Sequence, residues 1–305
     1  MTQYVRPRLL ALNGIFLLDK PLNISSNGAL QRVKRLLQAR KAGHTGSLDP
    51  LATGMLPICL GDATKFSQYL LDSDKTYAVT MQLGIRTTTS DAEGSIVSTR
   101  DVPHLSLTDI NKTFDQFRGI TQQIPSMFSA LKHNGVPLYE YARKGITIER
   151  PSRPMTIYEL TVLSIENNHV NFTVKCSKGT YVRTLVDDVG EVLQCGAHVT
   201  QLRRLSVGPY LENEMMTIEQ LESLIAQENF SAKNILLPVD SAVHHWPAVT
   251  VSSAVAFALK QGKAVEIPDA PQSGWMRFIE DNGDFFGVGE AVEDGKIAPR
   301  RLVSQ

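Results

Sequence analysis

The chain has 305 residues, 42% of them hydrophobic, and its 31 basic side chains are balanced by 31 acidic ones. This length predicts one large domain together with a smaller one, and the apolar content supports a buried core. The net charge of zero argues against a uniformly basic nucleic-acid binder. Cys59, Cys176 and Cys195 are too few for a disulfide framework, which indicates the cytoplasm.

The first predicted element is a strand at residues 9–19 that enters the core. Two arginines precede its apolar run, as in a secretion signal, but Asn13-Gly14 interrupts the run. Asp19-Lys20-Pro21 also stands where a cleavage site needs small residues, so a signal peptide is rejected. No apolar run in the sequence reaches the length of a membrane-spanning helix.

The next predicted element is a helix at residues 27–40. Leu30, Val33 and Leu37 recur at helical spacing after Ser25 and Ser26, which are good N-cap residues. The elements predicted further along are a buried strand at residues 55–60, a helix at 64–71 capped by Asp62, an alternating strand at 75–83, a helix at 108–118, a strand at 170–176, a helix at 182–193 and a capping-box helix start at Thr217 and Gln220.

Positive charge is concentrated in two stretches of this neutral chain. Residues 1–48 carry eight basic side chains against Asp19 alone, and several of them lie on the helix predicted at 27–40. Residues 121–154 are rich in Pro, Gly, Lys and Arg with interleaved tyrosines, which predicts a long functional arm. An uneven basic surface is typical of selective RNA binders, although solvated surface would explain either stretch taken alone.

The C-terminal part of the chain has a different pattern, with shorter predicted elements. Two prolines bound a predicted linker at residues 238–247, and a short helix at 253–260 follows it. Brief apolar runs are then separated by Asp281-Asn282-Gly283 and Asp294-Gly295, which are strong hairpin signals. The sequence therefore predicts a large domain at residues 1–247 and a small β module at 248–305.

Residues 43–57, with the sequence GHTGSLDPLATGMLP, place one carboxylate in a constrained loop. Gly43 and Gly46 can adopt positive φ without steric cost, so the chain can bend tightly around the residues between them. Pro50 fixes its own φ and moves Asp49 into an extended conformation. This constraint favours Asp49 as a positioned chemical group over a carboxylate that only caps a turn.

The loop resembles the signature loop of the TruB-type tRNA pseudouridine synthases, which isomerise uridine 55 in the TψC loop of tRNA. Further blocks resemble the same family in the family's order, from about residue 13 to 208: Asn13–Pro21 with Ser25–Asn27, Lys75–Tyr77, Gly84–Asp91, Cys176–Thr184 and Leu202–Leu205. The resemblance implies an α+β pseudouridine synthase fold, with a mixed, largely antiparallel central sheet flanked by helices and loops. Residues 248–305 are similar to a PUA domain, most clearly at Phe286–Glu290.

The resemblance implies that Asp49 acts on the nucleoside as an ionised carboxylate in a site closed to water. Burial alone raises a carboxylate pKa by about 3–5 units. At roughly 1.4 kcal/mol per unit, this is on the order of 4–7 kcal/mol against the charged form. A permanent cation must therefore lie beside Asp49. The resemblance assigns this part to Arg183 in the motif Gly179–Arg183, because arginine keeps its charge.

The predicted substrate-binding residues are Tyr77, Tyr181, His44, Leu202, Lys20 and Lys65. The rings of Tyr77 and Tyr181 suit a planar uracil, although either tyrosine alone would more often belong to a core. By resemblance, Tyr77 stacks on the target base and helps to move the proton from C5, and Leu202 packs against the base. By resemblance too, His44 fills the gap that the flipped base leaves. Lys20 and Lys65 are predicted phosphate contacts.

The implied reaction is an isomerisation, so it is predicted to need no metal, redox cofactor or nucleoside triphosphate. His244-His245 has no nearby ligand partners and is assigned to the linker. The implied partner is the T stem-loop of tRNA, bound by a monomer without an obligatory protein partner. Two alternatives remain. One is the guide-RNA-dependent branch, usually built with less of the arm; the other is a non-catalytic RNA-binding module, which the presence of Asp49 and Arg183 disfavours.

Overall fold

A computed structural model describes residues 9–292 and 295–304 of the chain. The strands are β1 (Gly14–Lys20), β2 (Ala42–His44), β3 (Ala52–Leu60), β4 (Lys75–Leu83), β5 (Ile85–Thr87), β6 (Ile96–Thr99), β7 (Gly119–Gln123), β8 (Lys132–His133), β9 (Val136–Pro137), β10 (Arg153–Glu166), β11 (His169–Cys176), β12 (Ala197–Val207), β13 (Ala248–Val251), β14 (Trp275–Glu280), β15 (Phe285–Ala291) and β16 (Ile297–Leu302). The α-helices are α1 (Ser26–Leu36), α2 (Ser67–Leu71), α3 (Leu107–Asp115), α4 (Leu138–Arg143), α5 (Val182–Val192), α6 (Ile218–Ile225) and α7 (Ser253–Lys260). These elements form two compact units: the first contains residues 9–49, 55–72, 208–292 and 295–304, and the second residues 50–54 and 73–207.

The second unit is built on one sheet, in the order β3 (its first residues), β12, β4, β11, β10, β7. Only the short contact of β12 with β3 is parallel; the other neighbours pair antiparallel. Helices α3 and α5 pack on this sheet, and the rings of Phe114 and Phe172 meet edge to face at 5.1 Å. The expected mixed, largely antiparallel sheet with flanking helices is thus confirmed.

The first unit contains the ends of the chain and most of β3. Strands β1 and β2 pair with β3. Two later segments return to β1, because Leu18 bridges Met216 and Ile15 bridges Leu237. Gly14, at the start of β1, has φ of +148°, and a Cβ there would lie 2.8 Å from the Leu237 carbonyl oxygen. Strand β1 begins at Gly14, so residues 9–13, which were predicted as part of this strand, lie outside it; Leu10 among them forms an isolated bridge with Ala39.

A second sheet lies within the C-terminal residues of the first unit, in the order β13, β14, β15, β16. Its buried residues form their own hydrophobic cluster, which includes Met276, Phe278 and Leu259 of α7. The predicted hairpin at residues 281–283 is confirmed: Gly283 has φ of +88° and donates its N–H to the Glu280 carbonyl. The second predicted turn contains Asp294, which lies outside the described residues. The β module at 248–305 is thus supported by strands, while its domain boundary stays a prediction.

Three local predictions in the first unit differ from the structure. Helix α1 ends at Leu36 instead of residue 40, because Gln38 has φ of +50° and Ala39 forms a bridge to Leu10. The predicted helix at 64–71 is split into a 3-10 turn (Gly61–Lys65) and the short α2. Asp62 does not cap it; its carboxylate accepts hydrogen bonds from the Ser304 backbone N–H and hydroxyl instead.

The second unit also contains strands that the patterning did not predict. Strand β10, with 14 residues, follows the predicted arm directly, and β12 supplies a central position in the sheet. Helix α3 begins at Leu107 with a capping box made by Ser106 and Asp109, and it ends earlier than predicted. Helix α5 matches its prediction within one residue. In the described residues, none of the helices is long and apolar enough to cross a membrane.

Candidate active site

The loop that carries Asp49 connects β2 with β3. Gly46 adopts the expected positive φ of +84°, whereas Gly43 is part of β2 and pairs with Cys59. The Thr45 N–H donates to the Pro57 carbonyl at 3.1 Å and closes the base of the loop. Asp49 is half-buried and is followed by an exposed Pro50. The sequence prediction of a constrained loop is therefore confirmed in part, through one of its two glycines.

The backbone next to Asp49 is held by the side chain of Ser26. The Ser26 hydroxyl oxygen accepts a hydrogen bond from the Leu48 N–H at 2.7 Å and donates to the Leu48 carbonyl at 3.0 Å. Ser26 is the first residue of α1 and is buried. Its neighbour Ser25 is the N-cap of the helix and accepts from the Gly28 N–H at 3.1 Å. Of the two serines predicted as caps, one caps the helix and the other fixes the Asp49 loop.

Three predicted substrate-binding residues belong to the same unit as Asp49. His44 is the last residue of β2, half-buried and opposite Ile58. Lys20 has no exposed surface, and its ammonium donates to the carbonyls of Pro21 and Ile24, both at 2.8 Å. These bonds hold the turn that leads into α1. A phosphate role for Lys20 stays a prediction.

Lys65 is engaged by the C-terminal tail in this structure. Its ammonium lies 3.0 Å from the Asp62 carboxylate, 3.0 Å from the Leu302 carbonyl oxygen and 2.6 Å from the Ser304 hydroxyl. An ammonium group has three donors, and these three acceptors can use all of them. Burial alone would raise the pKa of Asp62, but its hydrogen bonds with Lys65 and Ser304 bring that pKa below its ordinary value. To bind a phosphate, Lys65 would have to release the tail.

The Arg183 guanidinium is buried within the second unit and is surrounded by hydrogen-bond acceptors. One terminal nitrogen donates to the Thr89 carbonyl at 3.0 Å and lies 3.2 Å from the Asp91 carboxylate. The other terminal nitrogen donates to the Phe128 carbonyl at 2.8 Å. Both charged side chains are almost fully buried, with 6% and 3% of the Arg183 and Asp91 side chains exposed. These three acceptors hold the guanidinium in place. Removing one member of such a buried ion pair lowers the free energy of unfolding by about 3–5 kcal/mol, because the other charge is left buried and unpaired.

Tyr77 and Leu202 lie on one face of the sheet. Tyr77 of β4 stands opposite Arg204 of β12, and Val79 stands opposite Leu202. Directly opposed residues of an antiparallel pair, and residues two apart on a strand, share a face. All four side chains therefore project from the same face, and Tyr77 is half-buried there. Within the second unit, the structure thus brings together the two residues that were expected to contact the base.

The sheet face of Tyr77 and Leu202 also contains a buried positive charge, Arg204, that the sequence pattern did not predict. Arg204 is only 1% exposed, although it was expected only as part of the Leu202–Leu205 block. Strand β3 runs beside it, with Ala52 in register with Leu202 and Gly54 with Arg204. A Cβ at Gly54 would lie 2.2 Å from the Arg204 carbonyl oxygen, so only glycine fits. This close contact fixes the point at which the chain leaving the Asp49 loop joins β12.

Tyr181 stands at the start of α5, two residues before Arg183. Its backbone is paired with the side-chain amide of Gln123: the Tyr181 N–H donates to Oε1 at 2.8 Å, and Nε2 donates to the Tyr181 carbonyl at 3.1 Å. Sequence reasoning missed Gln123, the contact of Ser26 with Leu48 and the ion-pair role of Asp91. The Gly84–Asp91 block was a signal for Asp91, and the Ser25–Asn27 block was a signal for Ser26. Gln123 binds a residue far away in sequence, so no local pattern marks it.

The basic arm at residues 121–154 contains the end of β7, the β8–β9 hairpin and α4. Its cationic and aromatic side chains interact with one another: the Arg143 guanidinium lies 5.3 Å from the ring centroid of Tyr139, and His133 meets Tyr141 edge to face. Lys132, Arg143 and Lys144 are exposed. On α1, by contrast, Arg32 pairs with Glu222 of α6 at 2.9 Å. Among the described residues, no group of three His, Cys, Asp or Glu could hold a metal ion.

Comparison with known families covers most of the chain. Residues 34–182 match the TruB family pseudouridylate synthase N-terminal domain. Residues 183–244 match the tRNA pseudouridylate synthase B C-terminal domain, and residues 247–303 match the C-terminal domain of pseudouridine synthase II TruB.

Individual relatives are similar over their whole length. The tRNA pseudouridine synthase B of Coxiella burnetii (strain Dugway 5J108-111) is 52% identical over 308 residues, which cover 100% of both chains. That of Aeromonas salmonicida (strain A449) is 56% identical and covers 96% of this chain and 94% of its own. A chain in the solved structure titled "Crystal Structure of a Cbf5-Nop10-Gar1 Complex" is 25% identical, with a TM-score of 0.75 over 95% of this chain and 85% of its own. On the family matches and these full-length relatives, the chain belongs to the TruB family of pseudouridylate synthases.

Proposed function

We propose that this chain isomerises uridine 55 in the TψC loop of tRNA to pseudouridine, and that Asp49 is the group that acts on the nucleoside. The observation that carries the proposal is full-length identity of 52–56% to proteins named tRNA pseudouridine synthase B. The rigid loop around Asp49, closed by Thr45 and held by Ser26, supports the choice of this carboxylate.

In this proposal Asp49 remains ionised because the Arg183 guanidinium supplies a permanent positive charge beside it. Asp91 and the two backbone carbonyls that bind Arg183 orient the guanidinium, so little reorganisation is needed when the nucleoside arrives. Such fixed charges stabilise a reacting group most where water is excluded.

The target base is proposed to lie on the sheet face that contains Tyr77 and Leu202. The half-buried Tyr77 ring stacks on the uracil and helps to move the proton from C5, while Leu202 packs against its edge. Tyr181 contributes a second aromatic surface. Extracting a stacked base costs a few kcal/mol. His44, proposed to fill the gap in the RNA stack, offsets part of this cost.

RNA affinity in this proposal comes from phosphate contacts of α1, of the arm and of the β module at 248–305. Lys20 and Lys65 remain proposed phosphate contacts, and each would have to release its present hydrogen-bond partners to bind the RNA. The domains are proposed to divide at residues 247 and 248. The enzyme is proposed to act in the cytoplasm as a monomer, without a metal, cofactor or obligatory protein partner. Binding through phosphates should weaken steeply as salt concentration rises.

The experiment that tests the function is tritium release from C5-labelled uridine in an unmodified tRNA transcript. The assay contains purified protein and a chelator, and it contains no nucleoside triphosphate or guide RNA. We expect release of one tritium per tRNA, and its absence would overturn the proposed activity. Release that needed added metal would overturn the proposal that no cofactor takes part.

The variant Asp49→Asn separates an enzyme from a non-catalytic RNA-binding module. Because the amide is nearly isosteric with the carboxylate, we expect the tRNA dissociation constant to change by less than about threefold while tritium release is lost. The matched control is Asp62→Asn in the same unit, whose carboxylate binds the tail. A fully active Asp49→Asn variant would remove Asp49 from the mechanism.

A further inference from the structure

The buried side chain of Gln123 lies where the arm leaves the sheet. Gln123 is the last residue of β7, and it stands opposite Arg153, the first residue of β10. The chain between these two residues forms the arm. Only 4% of Gln123 is exposed, whereas its neighbour Gln122 is exposed. A buried amide at this point must have its hydrogen bonds satisfied inside the protein.

The Gln123 amide binds the backbone of Tyr181 in the manner of a neighbouring strand. It accepts the Tyr181 N–H at 2.8 Å and donates to the Tyr181 carbonyl at 3.1 Å. Tyr181 is the N-cap residue of α5, and its own side chain makes no capping hydrogen bond. The amide of Gln123 therefore fixes the residue from which α5 begins.

The arm reaches the same helix end a second time through its backbone. Arg183, the second residue of α5, donates to the Phe128 carbonyl at 2.8 Å. The Phe128 N–H in turn donates to the Ser126 hydroxyl at 3.1 Å. Gln123 and Phe128 are five residues apart at the start of the arm. Phe128 binds Arg183 directly, and Gln123 binds Tyr181, two residues before Arg183 in the chain. A shift of the arm must therefore be transmitted to the guanidinium or break these bonds.

We propose that Gln123 is a positioning residue that couples the RNA-binding arm to Arg183. RNA held by the arm fixes the entry segment, the Gln123 amide fixes the first turn of α5, and Arg183 is thereby aligned for the chemical step. This inference rests on the proposed function. It assigns Gln123 an effect on the rate of the bound complex, because Gln123 itself is buried and cannot touch the RNA.

The test compares Gln123→Leu with the matched control Gln116→Leu, which changes an exposed glutamine at the end of α3, in the same unit but outside the arm. Single-turnover tritium release is measured at saturating tRNA, the dissociation constant by filter binding, and stability by urea unfolding. A misplacement of about 1 Å at a reacting group can cost 10²-fold. We therefore expect Gln123→Leu to lower the saturated rate by about 10–100-fold with less than threefold change in affinity. Gln116→Leu should match the parent.

A second variant keeps the inference testable if leucine prevents folding. Gln123→Asn adds no charge at this buried site and keeps the amide donor and acceptor, but it is one methylene shorter, so both hydrogen bonds with Tyr181 are weakened. We expect a rate between those of the parent and Gln123→Leu. A rate equal to the parent with both substitutions would overturn the inference, as would equal losses in affinity and saturated rate.

A double-mutant comparison distinguishes positioning of Arg183 from a general structural role. If Gln123 acts through Arg183, its substitution should cost less than about threefold in an Arg183→Lys background. The same fold-loss in both backgrounds would overturn the coupling. A parent protein without tritium release would instead refute the proposed function, so the two failures are distinguishable.

Discussion

The substitution Ser26→Ala tests how the protein holds Asp49. The Ser26 hydroxyl makes two hydrogen bonds with the Leu48 backbone, of 2.7 and 3.0 Å, and only 3% of Ser26 is exposed. Alanine removes both bonds without adding bulk. The Leu48 N–H and carbonyl, which directly precede Asp49, then lose their partner.

The magnitude follows from the two backbone groups that lose a hydrogen bond. A buried polar group without a partner costs about 1–3 kcal/mol, so two groups cost about 2–6 kcal/mol. Ser47 and Pro50 beside them are exposed, and water can therefore reach a relaxed loop. We expect a loss in the free energy of unfolding at the lower end, about 2–3 kcal/mol. A displacement of Asp49 by about 1 Å should lower the catalytic rate by up to 10²-fold.

The assay combines urea unfolding with single-turnover tritium release at saturating tRNA. The control is Ser25→Ala, which loses only the N-cap bond to Gly28 and about 1 kcal/mol of stability. This control should retain the parent rate. Equal rates for the two alanine variants would refute the reasoning that the Ser26 hydroxyl positions the carboxylate.

Three further predictions concern packing, the tail and the thiols. Gly54→Ala should prevent folding or lower the free energy of unfolding by several kcal/mol, because the new Cβ would lie 2.2 Å from the Arg204 carbonyl oxygen. The control is Gly43→Ala, whose Cβ would meet nothing closer than 3.8 Å. This control should unfold at nearly the same urea concentration as the parent. Lys65→Met should reduce the slope of the salt dependence of tRNA binding by about 1, as expected for one lost phosphate contact. An unchanged slope would show that the Lys65 ammonium stays on the tail and would remove it from the proposed contacts. Burial raises the pKa of the Cys59 thiol from 9.0 to about 12. We therefore expect Cys59 to resist alkylation at pH 8 in the native protein and to react only when the protein is unfolded. Rapid labelling of Cys59 in the native protein would contradict its burial.

Some elements could be predicted because their signals are local. The capping box of Thr217 and Gln220 forms as expected, with hydrogen bonds of 2.8 and 3.2 Å. The turn at 281–283 forms the expected hairpin because Gly283 can adopt positive φ. The family blocks likewise proposed Asp49, Arg183 and Tyr77 as site residues without coordinates, and their roles remain proposals. In each case, the residues that produce the feature lie within a few positions of one another.

The errors and omissions involve partners distant in sequence. Asp62 has the composition of a cap, but Ser304, at the other end of the chain, takes its carboxylate. Strand β10 was hidden beside the arm, because its pairing with β7 and β11 is not encoded in its own alternation. Arg204 entered the sequence analysis only through the Leu202–Leu205 block, and no local pattern indicated that it is almost fully buried.

The amino-acid sequence by itself determined which carboxylate, which cation and which aromatic rings are available for the proposed reaction, and in what order they occur. Tertiary structure alone decided which other groups hold them. Ser26 binds the backbone beside Asp49 across 22 residues, and Gln123 binds Tyr181 across 58. The reason is physical: a hydrogen bond depends on distance and angle between two atoms, and for partners far apart in the chain only folding sets that geometry.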